Sequence, residues 1–181
     1  LDVDVGCLDD GRYFALAAGA GWDAEIIGRA TRERKDRWGF GAYLFAGLEV
    51  GVSPPSARFR VTVDGETLEL DASMVLVANV GSFVARGLPL GMTIGPAVSY
   101  RDGLLDVCIF APRTSVGVAA LLSRLAMGRY VGDARMIFLQ ASDVLVESDP
   151  PMQTQVDGEV LGSTPLHARS IPGGVRVLVP G

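Results

Sequence analysis

From Ser56 onward, apolar and polar residues alternate with a period of two: Phe59, Val61 and Val63 on one side, Arg58, Arg60 and Thr62 on the other. That period is the mark of a half-buried strand. Asp64-Gly65 follows, a dipeptide that accommodates positive φ, and Thr67-Leu68-Glu69-Leu70 then returns, so the two segments predict a hairpin with one buried face. Met74 to Val80 and Leu104 to Phe110 are instead unbroken apolar runs, which predict strands buried on both faces. The last third predicts strands at Met136–Gln140, Val144–Glu147, Met152–Val156, Leu166–Ser170 and Val175–Val179. Strands spaced this closely, with no helices between them, imply antiparallel pairing in a sandwich or barrel.

Helical spacing is confined to a few places. The opening Leu-Asp-Val-Asp-Val reads as a strand, and Gly11 to Ala18 is an apolar segment leading into Gly19-Ala20-Gly21-Trp22. The glycines there predict a turn from strand to helix, with Asp23 as a cap. Helices are expected from Asp23 to Glu33 and from about Phe40 to Val50, and a third from Val116 to Tyr130 behind Thr114 as N-cap. Gly81 to Asp102 is a long connection rich in glycine and proline, a kind that is usually functional. The expected fold is mainly β with a few helices (α+β): one antiparallel β-sandwich or barrel-like domain over residues 1–181.

With 49% apolar residues among 181, the chain can bury a sizeable core, which excludes disorder. A net charge of −5 excludes nucleic acid as a main partner, since phosphate binding needs a broad basic surface. Arg29, Arg32, Arg34, Lys35 and Arg37 nevertheless cluster, interrupted by Glu33 and Asp36. Two cysteines, Cys7 and Cys108, supply neither a disulfide framework nor a metal-binding spacing, so a reducing cytoplasm is the simplest compartment. No apolar run reaches the roughly 18 residues of a membrane span. The chain opens in mid-strand without methionine, as an excised or processed segment does.

His167 is the sole histidine, and no Gly-x-Ser-x-Gly elbow accompanies it, so a serine-histidine triad is disfavoured, as is zinc. Gly19-Ala20-Gly21 lacks the third glycine of a dinucleotide fingerprint. Asp-Gly-Glu occurs twice, at residues 64–66 and 157–159, and each is first of all a hairpin turn. The second follows Glu147-Ser148-Asp149-Pro150-Pro151, so several carboxylates lie close in sequence. A pair two apart on a rigid turn can set one group as a base and the other as its orienter or a metal contact. Asp102-Gly103 is likewise a turn, although an aspartate beside backbone carbonyls can also hold a hard divalent cation.

Taken in order, Gly19-Ala20-Gly21-Trp22-Asp23-Ala24, Val77-Ala78-Asn79, Gly91-Met92-Thr93-Ile94-Gly95-Pro96, Asp102-Gly103-Leu104-Leu105-Asp106-Val107, Glu147-Ser148-Asp149-Pro150-Pro151 and Gln155-Val156-Asp157-Gly158-Glu159 resemble motifs of one family. It is the carboxy-terminal half of the bacterial diacylglycerol kinases, related to sphingosine and ceramide kinases, and the resemblance runs along nearly the whole chain. It implies an ATP-dependent lipid kinase acting on a primary hydroxyl such as that of diacylglycerol. ATP and Mg²⁺ would be bound by an amino-terminal domain whose Gly-Gly-Asp-Gly-Thr loop this chain lacks, leaving the segment inactive alone. The resemblance further implies Asp157 as general base, Glu159 as its acidic neighbour, and a structural divalent cation held by Asp102 with backbone carbonyls near Ser99 and Leu104. The implied partners are the lipid, transiently the membrane surface, and the missing nucleotide domain. Homodimer formation through apolar strand edges is a further expectation, as is peripheral attachment to the membrane, to which the Arg29–Arg37 cluster would contribute. Ala17-Ala18 stands where many relatives carry asparagine, and Ala85 to Leu90 is extra sequence, so the substrate itself stays open. The alternative is a non-catalytic lipid- or membrane-binding module; an NAD-kinase-like enzyme shares the two-domain plan.

Overall fold

The structure, a computed structural model, describes residues 1–21, 56–79, 82–83, 92–93, 99–112, 114, 116–117, 120, 124 and 132–178. Its strands are β1 (Asp2–Leu8), β2 (Tyr13–Phe14), β3 (Ala17–Gly21), β4 (Ala57–Val63), β5 (Glu66–Ala72), β6 (Met74–Ala78), β7 (Ser82–Phe83) and β8 (Met92–Thr93). They continue as β9 (Leu105–Phe110), β10 (Met136–Ala141), β11 (Asp143–Asp149), β12 (Gln153–Val156), β13 (Glu159–Ser163) and β14 (Leu166–Arg176). Two six-stranded antiparallel sheets form, in the orders β2-β1-β14-β11-β4-β5 and β10-β9-β6-β3-β12-β13; β7 and β8 pair separately. The sheets remain open, so the architecture is the expected sandwich and not a barrel.

The alternation in β4 does what its pattern requires. Phe59 and Val61 are fully buried, whereas Arg58 and Arg60 reach Glu69, Asp71 and Glu147 on the outer surface. Asp64-Gly65 turns the chain into β5 with the register Val63↔Glu66 to Ala57↔Ala72. Phe14, Phe59, Val61, Val144, Val146 and Ala168 from the first sheet pack on Val75, Val77, Leu105, Val107 and Ile109 from the second. The outer face of the second sheet is buried too, through Ala17, Leu76, Ala78, Cys108, Phe110 and Met136. Burial on both sides accounts for the unbroken apolar runs in β6 and β9. It also pushes the Cys108 thiol up to about 12, as expected of an inert structural cysteine.

Some sequence expectations need correction. Gly19-Ala20-Gly21 lies inside β3 and makes no turn: β6 and β12 flank it, and a Cβ on Gly21 would meet the Ser73 carbonyl. The two strands expected at the carboxy end are one, β14, interrupted opposite Asp4 by Pro172-Gly173-Gly174. β13 was not anticipated; its exposed Glu159, Val160 and Gly162 carry no alternating pattern. Thr114 does cap a helix, its Oγ1 accepting the Gly117 N–H at 3.1 Å, and residues 116, 117, 120 and 124 are helical. The two helices expected in the first third, and the basic cluster Arg29–Arg37, lie outside the described residues. Among those described, no helix is long and apolar enough to cross a membrane.

Candidate functional site

Asp157 and Gly158 form the two-residue loop between β12 and β13, with φ of 44° and 86°. Positive φ at both positions is what a tight hairpin with right-handed strand twist demands, and Asp-Gly supplies it. The Asp157 N–H extends the β12–β3 ladder by one bond, donating to the Ala17 carbonyl at 2.8 Å. Its carboxylate faces the chain entering β3. Oδ1 accepts the N–H groups of Leu16 and Ala17 and Oδ2 that of Ala15, each at 2.9 Å. The Gly158 N–H is braced by the buried Gln155 Oε1 at 3.0 Å. Glu159 pairs with Val156 across the turn and is exposed, and its carboxylate makes no hydrogen bond or ion pair among the described residues.

The segment that Asp157 grips is gripped from behind as well. Asn79, 1% exposed at the end of β6, donates its Nδ2 to the carbonyls of Ala15 at 3.1 Å and Asp4 at 2.8 Å, and its backbone N–H to Leu16. Two acceptors for Nδ2 fix the orientation of the amide, and Oδ1 is left without a partner among the described residues. Asp4 in turn holds the loop before β9. Its buried carboxylate accepts the N–H groups of Gly103 and Gly173, both at 2.8 Å, and its own N–H donates to the Tyr100 carbonyl. Sequence pattern hid Asp4: in Asp2-Val3-Asp4-Val5 it alternates like a solvent-facing residue, yet it is 4% exposed opposite the interruption of β14.

Asp102 sits in that anchored loop, exposed, with Oδ1 accepting the Leu104 N–H at 3.1 Å and Oδ2 free among the described residues. Ser99 closes the other side through its Oγ, which accepts the Arg101 N–H at 3.2 Å. A free carboxylate oxygen beside loop carbonyls is a hard-oxygen donor set, which suits Mg²⁺ or Ca²⁺ in kind. Among the described residues there is no cluster of three or more His, Cys, Asp or Glu side chains placed for a metal, so a cation here would rely on backbone oxygens. Asp106 lies nearby in register with Ala78 and Gln140. Its Oδ1 accepts from Gln140 Nε2 at 3.2 Å and its Oδ2 has no partner among the described residues. Burial, opposed by the Gln140 bond and reinforced by the charge of Asp102, pushes this carboxyl up to about 6.

The other residues weighed from sequence lie apart. His167 bridges Asp9 at 2.8 Å and Asp143 at 3.0 Å on the outer face of the first sheet, tying β14 to β11 and to the turn after β1. A cavity of about 720 Å³, lined by Arg58, Leu70, Ala111 and Arg135 among others, opens at the Phe110–Met136 end of the second sheet, opposite the end where Asp157 sits.

The structure is an open antiparallel sandwich with a clamped acidic turn and an anchored Asp-Gly loop at the same end. The chain belongs to the family described as the YegS C-terminal NAD kinase beta sandwich-like domain, whose model matches residues 17–179. A protein of Bacillus subtilis (strain 168) named diacylglycerol kinase is 24% identical over 181 residues, covering 98% of this chain and 57% of its own length. An uncharacterized protein of Synechocystis sp. is 29% identical over 172 residues, 91% of this chain and 38% of its own. A solved chain from Bacillus anthracis str. Sterne superposes with a TM-score of 0.71 at 23% identity, covering 96% of this chain and 55% of that one. A second, named as a diacylglycerol kinase, gives 0.60 at 18%, with 96% and 52% covered. The chain thus spans about half the length of the curated relatives it matches.

Proposed function

We propose that this chain is the lipid-side half of an ATP-dependent lipid kinase that phosphorylates a primary hydroxyl such as that of diacylglycerol, working with a nucleotide-binding portion outside these residues. The observation that carries the proposal is the match to the Bacillus subtilis diacylglycerol kinase over nearly the whole chain, supported by the backbone-clamped Asp157-Gly158-Glu159 turn, which resembles the family's Asp-Gly-Glu motif. Phosphoryl transfer needs positioning and charge stabilisation more than covalent chemistry. In this division the nucleotide portion supplies ATP and Mg²⁺, and the Asp157–Glu159 turn supplies the carboxylate chemistry that receives the hydroxyl proton as the phosphoryl group transfers. Asp102, with the carbonyls of Ser99 and Leu104, would hold a second, structural divalent cation whose charge offsets the nearby carboxylates. The lipid requirement favours transient attachment to the cytoplasmic membrane surface.

The test is the intact protein assayed with radiolabelled ATP against vesicles containing diacylglycerol, a ceramide or sphingosine. ATP-dependent labelling of one lipid is the expected result. Vesicle binding with no labelling of any lipid would favour the non-catalytic module instead.

A further inference from the structure

Beyond the sandwich, β14 runs on with β1 as its one partner among the described residues. β11 pairs with β14 only as far as Arg169, and β2 pairs with β1 only at Gly6 and Cys7. Leu1 to Val5 and Ile171 to Val177 therefore form a two-stranded ribbon. Reciprocal bonds between Leu1 and Val177 and the Arg176–Asp2 ion pair at 2.7 Å close its tip, and Leu1, Ile171, Val175 and Val177 are exposed. A two-stranded ribbon left to itself is marginally stable in water. Its set relative to the sandwich is decided by what ties it down, and the tie is Asp4.

Asp4 stands where the register slips between Val3 and Val5, opposite Pro172-Gly173-Gly174. Without a partner in β14, its N–H donates to the Tyr100 carbonyl at 2.9 Å and its carbonyl accepts the Asn79 amide at 2.8 Å. Its carboxylate divides between two segments: Oδ1 accepts the Gly173 N–H in the ribbon and Oδ2 the Gly103 N–H in the Asp102 loop, each at 2.8 Å. Both glycines have positive φ, 61° and 75°. The two segments also touch, since a Cβ on Gly103 would stand 3.5 Å from Pro172 Cγ. Tyr100 and Gly103 lie on either side of Asp102, so Asp4 fixes the direction of the loop backbone whose carbonyls a cation would need beside that carboxylate. We propose that Asp4 is a positioning residue that couples the β1–β14 ribbon to the Asp102 loop, so that a divalent cation in the loop and the set of the ribbon stabilise each other. The cation half of this coupling rests on the divalent site proposed for Asp102; the bond between the two segments does not. Linkage makes the effect reciprocal, and Asn79 carries the same set on to Ala15 at the clamped turn.

Amide exchange by mass spectrometry on the intact protein, in EDTA and in CaCl₂ with neither nucleotide nor lipid, reads the coupling without turnover. In the wild type, CaCl₂ should slow exchange in peptides covering 171–177 as well as in those covering 99–105, by a factor within the range of about 5–150 that coupled sites show. Asp102→Ala should abolish both responses and leave exchange in EDTA unchanged. Asp4→Asn sets an amide NH₂ against one of the two glycine N–H donors. It should speed exchange in both segments in EDTA, abolish the response at 171–177, and weaken the Asp102-dependent binding of Ca²⁺ in calorimetric titration by the factor that the ribbon loses. Gly174→Ala acts from the ribbon side, because its Cβ would meet Val5 and Ile171; it should weaken Ca²⁺ binding on its own and add nothing in the Asp4→Asn background. Val61→Ala, in the core between the sheets, should lower the thermal midpoint and keep the response at 171–177, which separates coupling from a general loss of stability. A Ca²⁺ response confined to 99–105, or one at 171–177 that survives Asp4→Asn, overturns the proposal. No Ca²⁺ response in either segment overturns the cation half together with the divalent site at Asp102, and unchanged exchange at 99–105 in Asp4→Asn in EDTA overturns the other half. Failure of the intact protein to phosphorylate any lipid sinks the lipid-kinase reading and leaves these exchange results to decide the role of Asp4.

Discussion

Asp106 offers a quantitative test of the buried polar framework. It is 4% exposed in the second sheet, with one oxygen bonded to Gln140 and the other unpartnered among the described residues, and its carboxyl is pushed from 3.8 up to about 6. Because the folded state holds this proton more tightly than the unfolded chain, the contribution of Asp106 to stability is greatest below about pH 4. It is lost as the pH rises toward about 6, and above that the ionised group is a constant burden. At 1.36 kcal/mol for each tenfold change in proton affinity the full effect is about 3 kcal/mol, and solvent at the strand end reduces the expectation to about 1–2 kcal/mol. Asp106→Asn keeps the oxygen that faces Gln140 and removes the titration. Urea denaturation of both proteins from pH 3.5 to 8, in EDTA so that no cation sits near Asp102, gives their stability difference as a function of pH. The wild type should lose about 1–2 kcal/mol relative to Asp106→Asn between pH 4 and 6.5 and nothing more above it. Any fixed cost of the new amide group shifts the whole curve and leaves its slope alone. A difference that stays flat within about 0.5 kcal/mol across this range would refute the assignment of a buried, protonated carboxyl.

Three further outcomes are expected. His167 is opposed by burial, but its hydrogen bonds to Asp143 and Asp9 prevail and raise it above 6.5, so its contribution is fully present below that pH and is lost as the pH rises through the folded-state value; in His167→Gln the corresponding fall in thermal midpoint with pH should be absent. Phe59→Ala, at a fully buried position between the sheets, should cost about 3–5 kcal/mol in denaturant titrations. Gly6→Ala should destabilise by about 1–3 kcal/mol, because a Cβ there would enter the ring of the buried Phe14, and near-ultraviolet circular dichroism should report the displaced aromatic packing.

The fold was readable wherever a single segment carries its own instructions. β4 and β5 announced themselves through alternation and an Asp-Gly turn, and β6 and β9 through unbroken apolar runs that only a strand covered on both sides can hide. The framework of the candidate site was not readable, because it is written in backbone groups supplied by remote parts of the chain. Asp157 and Ala15 are 142 residues apart, Asp4 and Gly103 are 99 apart, and Asn79 joins Ala15 to Asp4 across two sheets. Side-chain pattern cannot announce a bond to a main-chain N–H, since every residue but proline presents the same donor. Hence nothing in Leu-Asp-Val-Asp-Val marks Asp4 as buried, and the two Asp-Gly-Glu turns differ in sequence only in their neighbours. Their common geometry shows what such a turn does for the fold: in both, the aspartate is bound into the backbone of a remote connection.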